Sequence, residues 1–572
     1  MKPEKLAVRA INQYRRRDIL AYLGLRYYLD NDCAKNDIWA RDISTHLVQT
    51  RELPVYFRSY HFKKMADNNI DVVYRNIYLP GANEMFAESA LLYECSLDTA
   101  FQALPCVYSY PFPDPSTKEG IFKNYFPKFQ ERNHSIIHFC KSSNHARVRY
   151  TDIKKFYPSI SYEFALKTWR AACNRSKLST KFRDLGEKLL TQYAEIAKAH
   201  NEGLGLLTGP MFSHLIANLV LFEVDRLMSK YMKGKYWRYV DDFVLAGDVE
   251  QIKVGRKQLS KILTDMGFSL HDEGKDFEVE STVWLKETNN IDPSKSKTWI
   301  SLIANIKRFL IAKPEERVNL ERAFSQSEIK ISLLDYSKVV SESSYLKQVY
   351  DRLAKYSLTV DKLLNDALQA KNIYHEEINI LLDKNHNLEG YARKQLISKL
   401  RFYAKRLSYL ATSDTLAILS PALSNYPELL LESRVMRTLY SQDISSLIKL
   451  GANAVQAAAQ ILRIQGNPVT CSLDSFGEVE LQGLAILRLN GIEIKFSDNR
   501  DNHTKLDPLN QFALDINSAE LMRSNDLFIK EIACIRGVDK RLKHTDILDS
   551  AFDRDEPLSF DIIDQLQASS YF

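Results

Sequence analysis

Cysteine is scarce in this sequence, and the few cysteines present are not arranged in pairs. The seven cysteines among 572 residues are scattered, and no two of them stand at the C-x-x-C spacing of a zinc ribbon or a redox-active pair. This pattern excludes a C-x-x-C zinc site and argues against a disulfide-stabilised scaffold. We therefore expect a protein of the reduced, cytoplasmic compartment.

Long hydrophobic runs are absent as well. The strongest run, LIANLVLF at residues 215–222, is too short to cross a bilayer. The first residues, MKPEKLAVRAINQYRRRDIL, contain no apolar core of the length that a signal peptide requires. We therefore expect no targeting segment and no membrane partner.

The chain also lacks a strong excess of charge of either sign. Its formal net charge of +6 permits a polyanionic partner such as nucleic acid but does not require one. With 45% hydrophobic and 26% charged residues, the composition is typical of a globular protein. A chain of this length is expected to hold more than one domain, since single cores rarely exceed roughly 250 to 300 residues.

Hydrophobic periodicity divides the chain into three parts. Residues 1–70 predict mainly helix, residues 71–290 mix strands, turns and helices, and helical patterns dominate residues 291–572. In the middle part, RVRYTDI at 147–153 alternates as a strand does, and KYWRYV and FVLAG predict a hairpin. This order predicts an α+β fold with a ferredoxin-like sheet, followed by an α-helical domain that we interpret as a degenerate HEAT-like solenoid.

The tip of the predicted hairpin carries two adjacent carboxylates, Asp241 and Asp242. Neighbouring carboxylates repel each other, so the arrangement requires exposure to water or a neutralising cation. A third acid, Asp152, stands at the end of the strand that we expect to pair with the hairpin. Three such acids could bridge the two divalent ions of nucleotidyl transfer, which activate a 3′ hydroxyl and hold a triphosphate.

The Tyr-x-Asp-Asp sequence that ends in Asp241 and Asp242, preceded by Asp152 and by Tyr157 five positions later, resembles the catalytic palm of reverse transcriptases. The resemblance implies that the three aspartates are catalytic. It also implies that these aspartates and Ile153 hold two Mg²⁺ ions, for which Mn²⁺ is an alternative. In that family the aromatic residue excludes a ribose 2′ hydroxyl, so Tyr157 would select deoxynucleotides.

A second segment, TGPMFSHLIAN at 208–218, is similar to a family block that usually reads Gln-Gly-x-x-x-Ser-Pro-x-x-Ala-Asn. By this resemblance Thr208 and Gly209 belong to the nucleotide site, and Gly209 would let the backbone approach the nucleotide closely. Thr208 replaces the usual glutamine and His214 replaces the usual proline. These two departures put the ordinary contacts to template and incoming nucleotide in question.

Two cations flank these motifs. YRNIYLP at 74–80 resembles the fingers motif of the family, whose arginine, here Arg75, grips the triphosphate. GFSLHDEGKDF resembles the motif whose lysine, here Lys275, lies near the leaving pyrophosphate. The primer-grip motif is scarcely recognisable around Trp284 and Leu285, and the whole resemblance covers about residues 70–290.

The combination of this palm with a long helical extension resembles the bacterial abortive-infection and unknown-group reverse transcriptases of antiphage defence. The nuclease of group II intron maturases and the Asn-Ala-x-x-His and Val-Thr-Gly motifs of retron enzymes are not found in the sequence. The resemblance implies a homo-oligomer that polymerises dNTPs into DNA. It further implies synthesis without a template, with the DNA attached to a tyrosine of the protein that the sequence leaves open among 30.

Two alternatives remain open at this stage. One is a templated reverse transcriptase that copies a partner noncoding RNA, bound through the aromatic and basic segment at 54–64 and the run of cations Lys123, Lys128, Arg132, Lys141 and Arg147. The other is a catalytically silent helical-repeat scaffold that binds a partner. Survival of all three aspartates argues against the scaffold, because binding modules do not need metal carboxylates.

Overall fold

The computed structural model describes about seven tenths of the chain. The described residues are Arg9, Ala10, Gln13 and the ranges 56–66, 71–115, 120–123, 125–143, 145–271, 276–288, 293–333, 357–383, 388–473 and 475–496. Lys275 and almost all of residues 1–55 lie outside them. The helix predicted for residues 1–70 does not extend to its predicted end, because residues 56–65 form a strand.

The described chain begins with a long antiparallel hairpin. Its strands are β1 (Tyr56–Met65) and β2 (Val72–Pro80), with Tyr56 opposite Pro80 and a register shift between Phe62 and Lys64. Helix α1 (Ala82–Ser96) follows β2 at once. This hairpin forms a two-stranded sheet of its own and carries Arg75.

The central sheet has four strands in the order β4-β5-β3-β6, and every neighbouring pair is antiparallel. Its strands are β3 (Arg147–Asp152), β4 (Tyr236–Tyr239), β5 (Asp242–Gly247) and β6 (Phe277–Glu280). All six residues of β5 are buried, because helices cover both faces of the sheet at this strand. This double cover explains why FVLAG reads as a continuous apolar run rather than an alternating one.

Helices connect the strands and cover the sheet. They are α2 (Tyr125–Ser142), α3 (Phe156–Ser159), α4 (Tyr162–Arg175), α5 (Thr180–Ala199), α6 (Met211–Val220), α7 (Phe222–Tyr231), α8 (Val249–Asp265) and α9 (Ser281–Thr288). Helix α8 begins with a capping box that Asp248 and Gln251 form. Gly267, at φ +84°, follows its last turn.

The rest of the described chain is almost entirely helical. It contains α10 (Pro293–Ala312), α11 (Arg317–Gln326), α12 (Val360–Leu382), α13 (Gly390–Leu410), α14 (Ser413–Ser424), α15 (Leu430–Ser441), α16 (Ser445–Ile448), α17 (Ala452–Gln465) and α18 (Glu478–Leu489). Two short strands, β7 (Val469–Cys471) and β8 (Ile494–Phe496), pair in parallel. The α+β prediction is therefore confirmed as a mixture of helices and small sheets.

The helical region folds back onto the β1–β2 hairpin. Arg58 of β1 pairs with Glu478 at 2.6 Å, and the backbone N–H of Phe62 donates to Asn453 Oδ1 at 2.9 Å. Gly451, at φ +89°, passes so close to Tyr60 that a side chain there would collide with the Tyr60 carbonyl. The hairpin and the helical region are thus tied together by ionic, polar and backbone contacts.

Among the described residues, no helix combines the length and the apolar character that a membrane span requires.

Candidate active site

Three carboxylates converge at one edge of the central sheet. Asp152 ends β3 and Asp242 begins β5, and the two residues stand opposite each other in the antiparallel register. Asp241 lies in the turn between β4 and β5. One carboxylate oxygen from each residue lies within 4.8 Å of the other two. The sheet therefore brings together the three aspartates that the sequence singles out.

Backbone hydrogen bonds fix the carboxylates relative to one another. The N–H of Ile153 donates to the Asp241 carbonyl at 3.2 Å, so the end of β3 is joined to the turn. The N–H of His271 donates to the Asp152 carbonyl at 2.7 Å, and its Nε2 lies 3.9 Å from Asp152 Oδ2. The positions of the acids thus depend on main-chain contacts rather than on flexible side chains.

The electrostatics of this cluster favour protons or a metal ion over three free charges. Burial, followed by the charges of Asp152 and Asp242, raises the pKa of Asp241 well above its ordinary value, while Arg75 opposes the change. Burial and the charge of Asp152 raise the pKa of Asp242 to about 7. At neutral pH the cluster therefore requires a compensating positive charge.

The donor set fits a hard divalent cation. All three side chains offer oxygen atoms, which Mg²⁺ prefers as ligands. Asp242 Oδ2 is buried, and no hydrogen-bond donor contacts it among the described residues. Ile153 has a buried apolar side chain, so its carbonyl is the only group that it could contribute. The site is thus compatible with Mg²⁺, and the residues that would hold it are the three aspartates and this carbonyl.

The turn that carries Asp241 has a strained backbone. Val240 has φ +53°, a region that β-branched residues rarely occupy. Two buried contacts hold this conformation, since Val240 N–H donates to Ser109 Oγ at 2.9 Å and Arg238 Nη1 donates to the Val240 carbonyl at 2.7 Å. Strain of this kind persists where the surrounding structure over-determines it, and it is concentrated at functional sites.

Arg238 is itself held by a buried network. Its Nε and Nη2 donate to the two oxygens of Asp225, each at 2.7 Å, and Tyr236 also donates to Asp225 at 2.7 Å. Asn218 accepts from Arg238 Nη1 at 3.2 Å and donates to the Ser109 carbonyl at 3.0 Å. Sequence reasoning missed this support, although a charged Arg238 inside an apolar strand was its signal.

The segment of Thr208 and Gly209 packs against the hairpin. The N–H of Tyr78 donates to the Thr208 carbonyl at 2.8 Å. Gly209 has φ +130°, and a Cβ there would lie within 3.0 Å of three backbone atoms of Tyr78. The close approach predicted for Gly209 thus occurs against β2, which accounts for the glycine without a nucleotide.

The other predicted residues fall at different places. Arg75 is half-buried on β2, and its charge opposes the rise in the pKa of Asp241. Tyr157 lies on α3, one short turn after Asp152, and is buried. Trp284 and Leu285 lie on helix α9 rather than on a hairpin. The prediction for Lys275 cannot be placed, because that residue lies outside the described ranges.

The face of the sheet that bears Asp152 and Asp242 is covered. Strand alternation puts Tyr150 on this face, and its hydroxyl donates to Asp242 Oδ1. Lys394 of α13 stands 4.4 Å from the centre of the Tyr150 ring. Trp284 of α9 and Tyr391 of α13 stack with centroids 5.7 Å apart and complete the cover. Helix α13 of the C-terminal part thus reaches the neighbourhood of the carboxylates.

Two buried or half-buried cations, Arg132 of α2 and Lys394 of α13, oppose the rise in the pKa of Asp242. Arg132 is 1% exposed and pairs with no carboxylate among the described residues. The sequence does not predict that either cation lies near the carboxylates, because both are far from Asp242 along the chain.

Comparison of the sequence with models of known protein families, and with curated proteins, gives no match.

Proposed function

We propose that this protein is a DNA polymerase of the reverse-transcriptase type that joins dNTPs by metal-dependent nucleotidyl transfer. The observation that carries the proposal is the cluster of Asp152, Asp241 and Asp242, whose oxygens converge in a buried, strained and cation-demanding site. The order of the motifs around the cluster, including Tyr157 and the Gly209 segment, supports the same function. A structural role for three converging carboxylates, of which Asp152 and Asp242 are buried and Asp241 is half-buried, would be costly, because burial penalises each charge.

The roles of the residues follow from their chemistry. Divalent cations held by the carboxylates would supply a lowered pKa for the attacking 3′ hydroxyl and charge neutralisation at the triphosphate. Arg75 offers a guanidinium that can hold phosphate oxygens through two parallel hydrogen bonds. Tyr157 crowds the sugar and disfavours a 2′ hydroxyl. Lys275 would complete the contacts to the leaving pyrophosphate, and Thr208 and Gly209 would border the nucleotide.

Synthesis without a template, primed by a tyrosine of the protein, is our favoured form of this activity. The sheet face next to Asp152 and Asp242 is occupied by Tyr150, Trp284 and Tyr391. A long duplex lying on that face would have to displace α9 and α13. A short or single-stranded product needs less room, so the covered face supports the untemplated form.

The aromatic and basic segment at 54–64 has fewer side chains that can contact a noncoding RNA than its composition suggests. Phe62 is buried against the helical region, Arg58 pairs with Glu478, and Tyr60 also donates to Glu478. These side chains are committed to packing within the protein. Because these side chains already make contacts within the protein, the templated alternative is weakened.

Most cations of the second basic group, which the templated alternative also assigns to RNA, are paired with carboxylates or buried. Lys128 pairs with Glu131, and Arg147 pairs with Glu280 at 3.3 Å. Arg132 is buried beneath the surface. Lys123 and Lys141 are exposed, and they remain the members of this group best placed to meet a phosphate. Two such lysines would supply only a weak electrostatic contribution to RNA binding.

The resemblance to defence-associated enzymes supports two further proposals, a role in antiphage defence and a homo-oligomeric assembly with a HEAT-like C-terminal domain. The silent-scaffold alternative predicts that aspartate variants retain full protection against phage. Loss of protection in Asp241→Ala, with an unchanged oligomer by size-exclusion chromatography and light scattering, would exclude the scaffold.

The decisive experiment incubates the purified protein with Mg²⁺ and each labelled dNTP, before and after RNase treatment, and separates the products on a denaturing gel. Label that remains on the protein after RNase treatment supports primed, untemplated synthesis. Label that requires intact RNA supports the templated alternative. Asp241→Ala is the inactive variant, and Asp265→Ala, an exposed acid at the end of α8, is the matched control. Equal incorporation by Asp241→Ala and the native chain would refute the mechanism.

A further inference from the structure

Tyr157 is held in place by a contact that the sequence did not predict. Its hydroxyl and His214 Nδ1 share a hydrogen bond of 2.6 Å. Both side chains are more than nine-tenths buried, with exposed fractions of 8% for Tyr157 and 3% for His214. The two rings meet edge to face, with centroids 5.6 Å apart and an angle of 85°. His214 therefore restrains both the hydroxyl and the ring of Tyr157.

The His214 ring is itself fixed from the opposite side. It stacks on Tyr110 with a centroid distance of 3.8 Å and an angle of 6°. Tyr110 has φ +50° and also packs edge to face against Phe122 at 5.4 Å. The preceding residue, Ser109, accepts the hydrogen bond from Val240 N–H in the catalytic turn. One loop thus supports both the carboxylate turn and the ring that holds Tyr157.

The backbone beneath His214 has little freedom to move. Helix α6 begins just before it, and the N–H of Phe212 donates to the buried carboxylate of Glu88 at 3.1 Å. Glu88 also accepts from Tyr56 at 2.7 Å and from Tyr193 at 2.9 Å. A carboxylate at a helix N-terminus is additionally stabilised by the helix dipole. This anchoring makes His214 a rigid partner for Tyr157.

We propose that His214 is a positioning residue that locks Tyr157 in the conformation that rejects a ribose 2′ hydroxyl, and so sets the preference of this site for deoxynucleotides. The inference rests on the proposed polymerase function. A proline, which is usual at this position of the resembling block, has no side-chain group that could hold a hydroxyl. A ring that is held by packing alone can tilt by a few degrees. A buried hydrogen bond to the Tyr157 hydroxyl removes this freedom and so fixes the distance between the ring and the sugar.

The test measures kcat/KM for a dNTP and for the matching rNTP with the purified full chain and Mg²⁺. The variants are His214→Ala, Tyr157→Phe and the double variant. His214→Asn is the conservative variant, because its amide can occupy the position of Nδ1. Thermal unfolding of each variant shows that it is folded. We expect the dNTP preference to fall about tenfold in His214→Ala, the effect of losing one buried hydrogen bond.

The pattern across the variants separates positioning from general packing. We expect Tyr157→Phe to lower the preference as His214→Ala does, the double variant to lower it no further, and His214→Asn to restore it. An unchanged preference in His214→Ala, with the native chain active, would overturn the inference and leave the proposed function standing. Additive losses in the double variant would assign His214 to packing alone. A native chain that incorporates neither nucleotide would refute the proposed function and this inference with it.

Discussion

Replacing Asp242 by asparagine is expected to stabilise the metal-free protein while abolishing its activity. Asp242 is fully buried beside Asp152, and both burial and the neighbouring charge raise its pKa to about 7. Asparagine has the same shape, carries no charge and still accepts the hydrogen bond from Tyr150. The substitution therefore removes the repulsion without removing the packing.

The magnitude follows from the pKa. An increase from 3.8 to about 7 corresponds to about 4 kcal/mol between the protonated and charged forms of Asp242. Because the folded state holds its proton more tightly than the unfolded state, this stabilisation is complete below pH 3.8 and is lost as the pH rises through about 7. Asparagine behaves like the protonated form at every pH. The advantage of Asp242→Asn therefore grows with pH and reaches its full value above pH 7.

The assay is thermal unfolding followed by tryptophan fluorescence, at pH 5 and pH 8, in EDTA and in Mg²⁺. In EDTA at pH 8 we expect the midpoint of Asp242→Asn to exceed that of the native chain by about 3 °C, with a smaller difference at pH 5. Mg²⁺ should raise the native midpoint, because a ligand at one hundred times its Kd adds about 2.7 kcal/mol to the free energy of unfolding, and it should do little for the variant. Asp265→Asn, which removes an exposed charge, is the control. A variant less stable than the native chain in EDTA at pH 8 would refute the reasoning.

Two further predictions concern the support of the site. Asp225→Asn leaves the buried charge of Arg238 without its partner, so we expect a loss of about 3 to 5 kcal/mol in unfolding free energy and reduced dNTP incorporation, measured by urea unfolding and the gel assay. Glu223→Gln, which breaks an exposed pair on the same helix, should change both by little, and an equal effect would contradict the role of burial. Gly209→Ala should lower the thermal midpoint more than Gly234→Ala, because both glycines have positive φ but only Gly209 lies against the Tyr78 backbone. Equal shifts would show that φ alone determines the cost.

Several features near the site were predictable because they depend on short stretches of chain. The hairpin around Asp241 follows from two apolar runs separated by a tight turn, and the start of α8 follows from Asp248, a residue type that is preferred at an N-cap. Pairing of the strand that ends in Asp152 with the hairpin was also expected, and β3 pairs with β5, although the residue opposite Asp152 is Asp242 rather than Asp241. By contrast, the pattern of residues 1–70 predicts mainly helix, whereas residues 56–65 form a strand.

The sequence by itself determined which acids are present, their order and the local elements that carry them, since turns, caps and strand alternation depend on neighbouring residues. Only the tertiary structure decided what surrounds those acids. Arg132 and Lys394 come from distant helices, and the bond between Tyr157 and His214 joins two segments that are 57 residues apart. Such contacts depend on how complete helices and strands pack against one another. The residues next to a side chain in the sequence do not indicate which distant side chain it will contact.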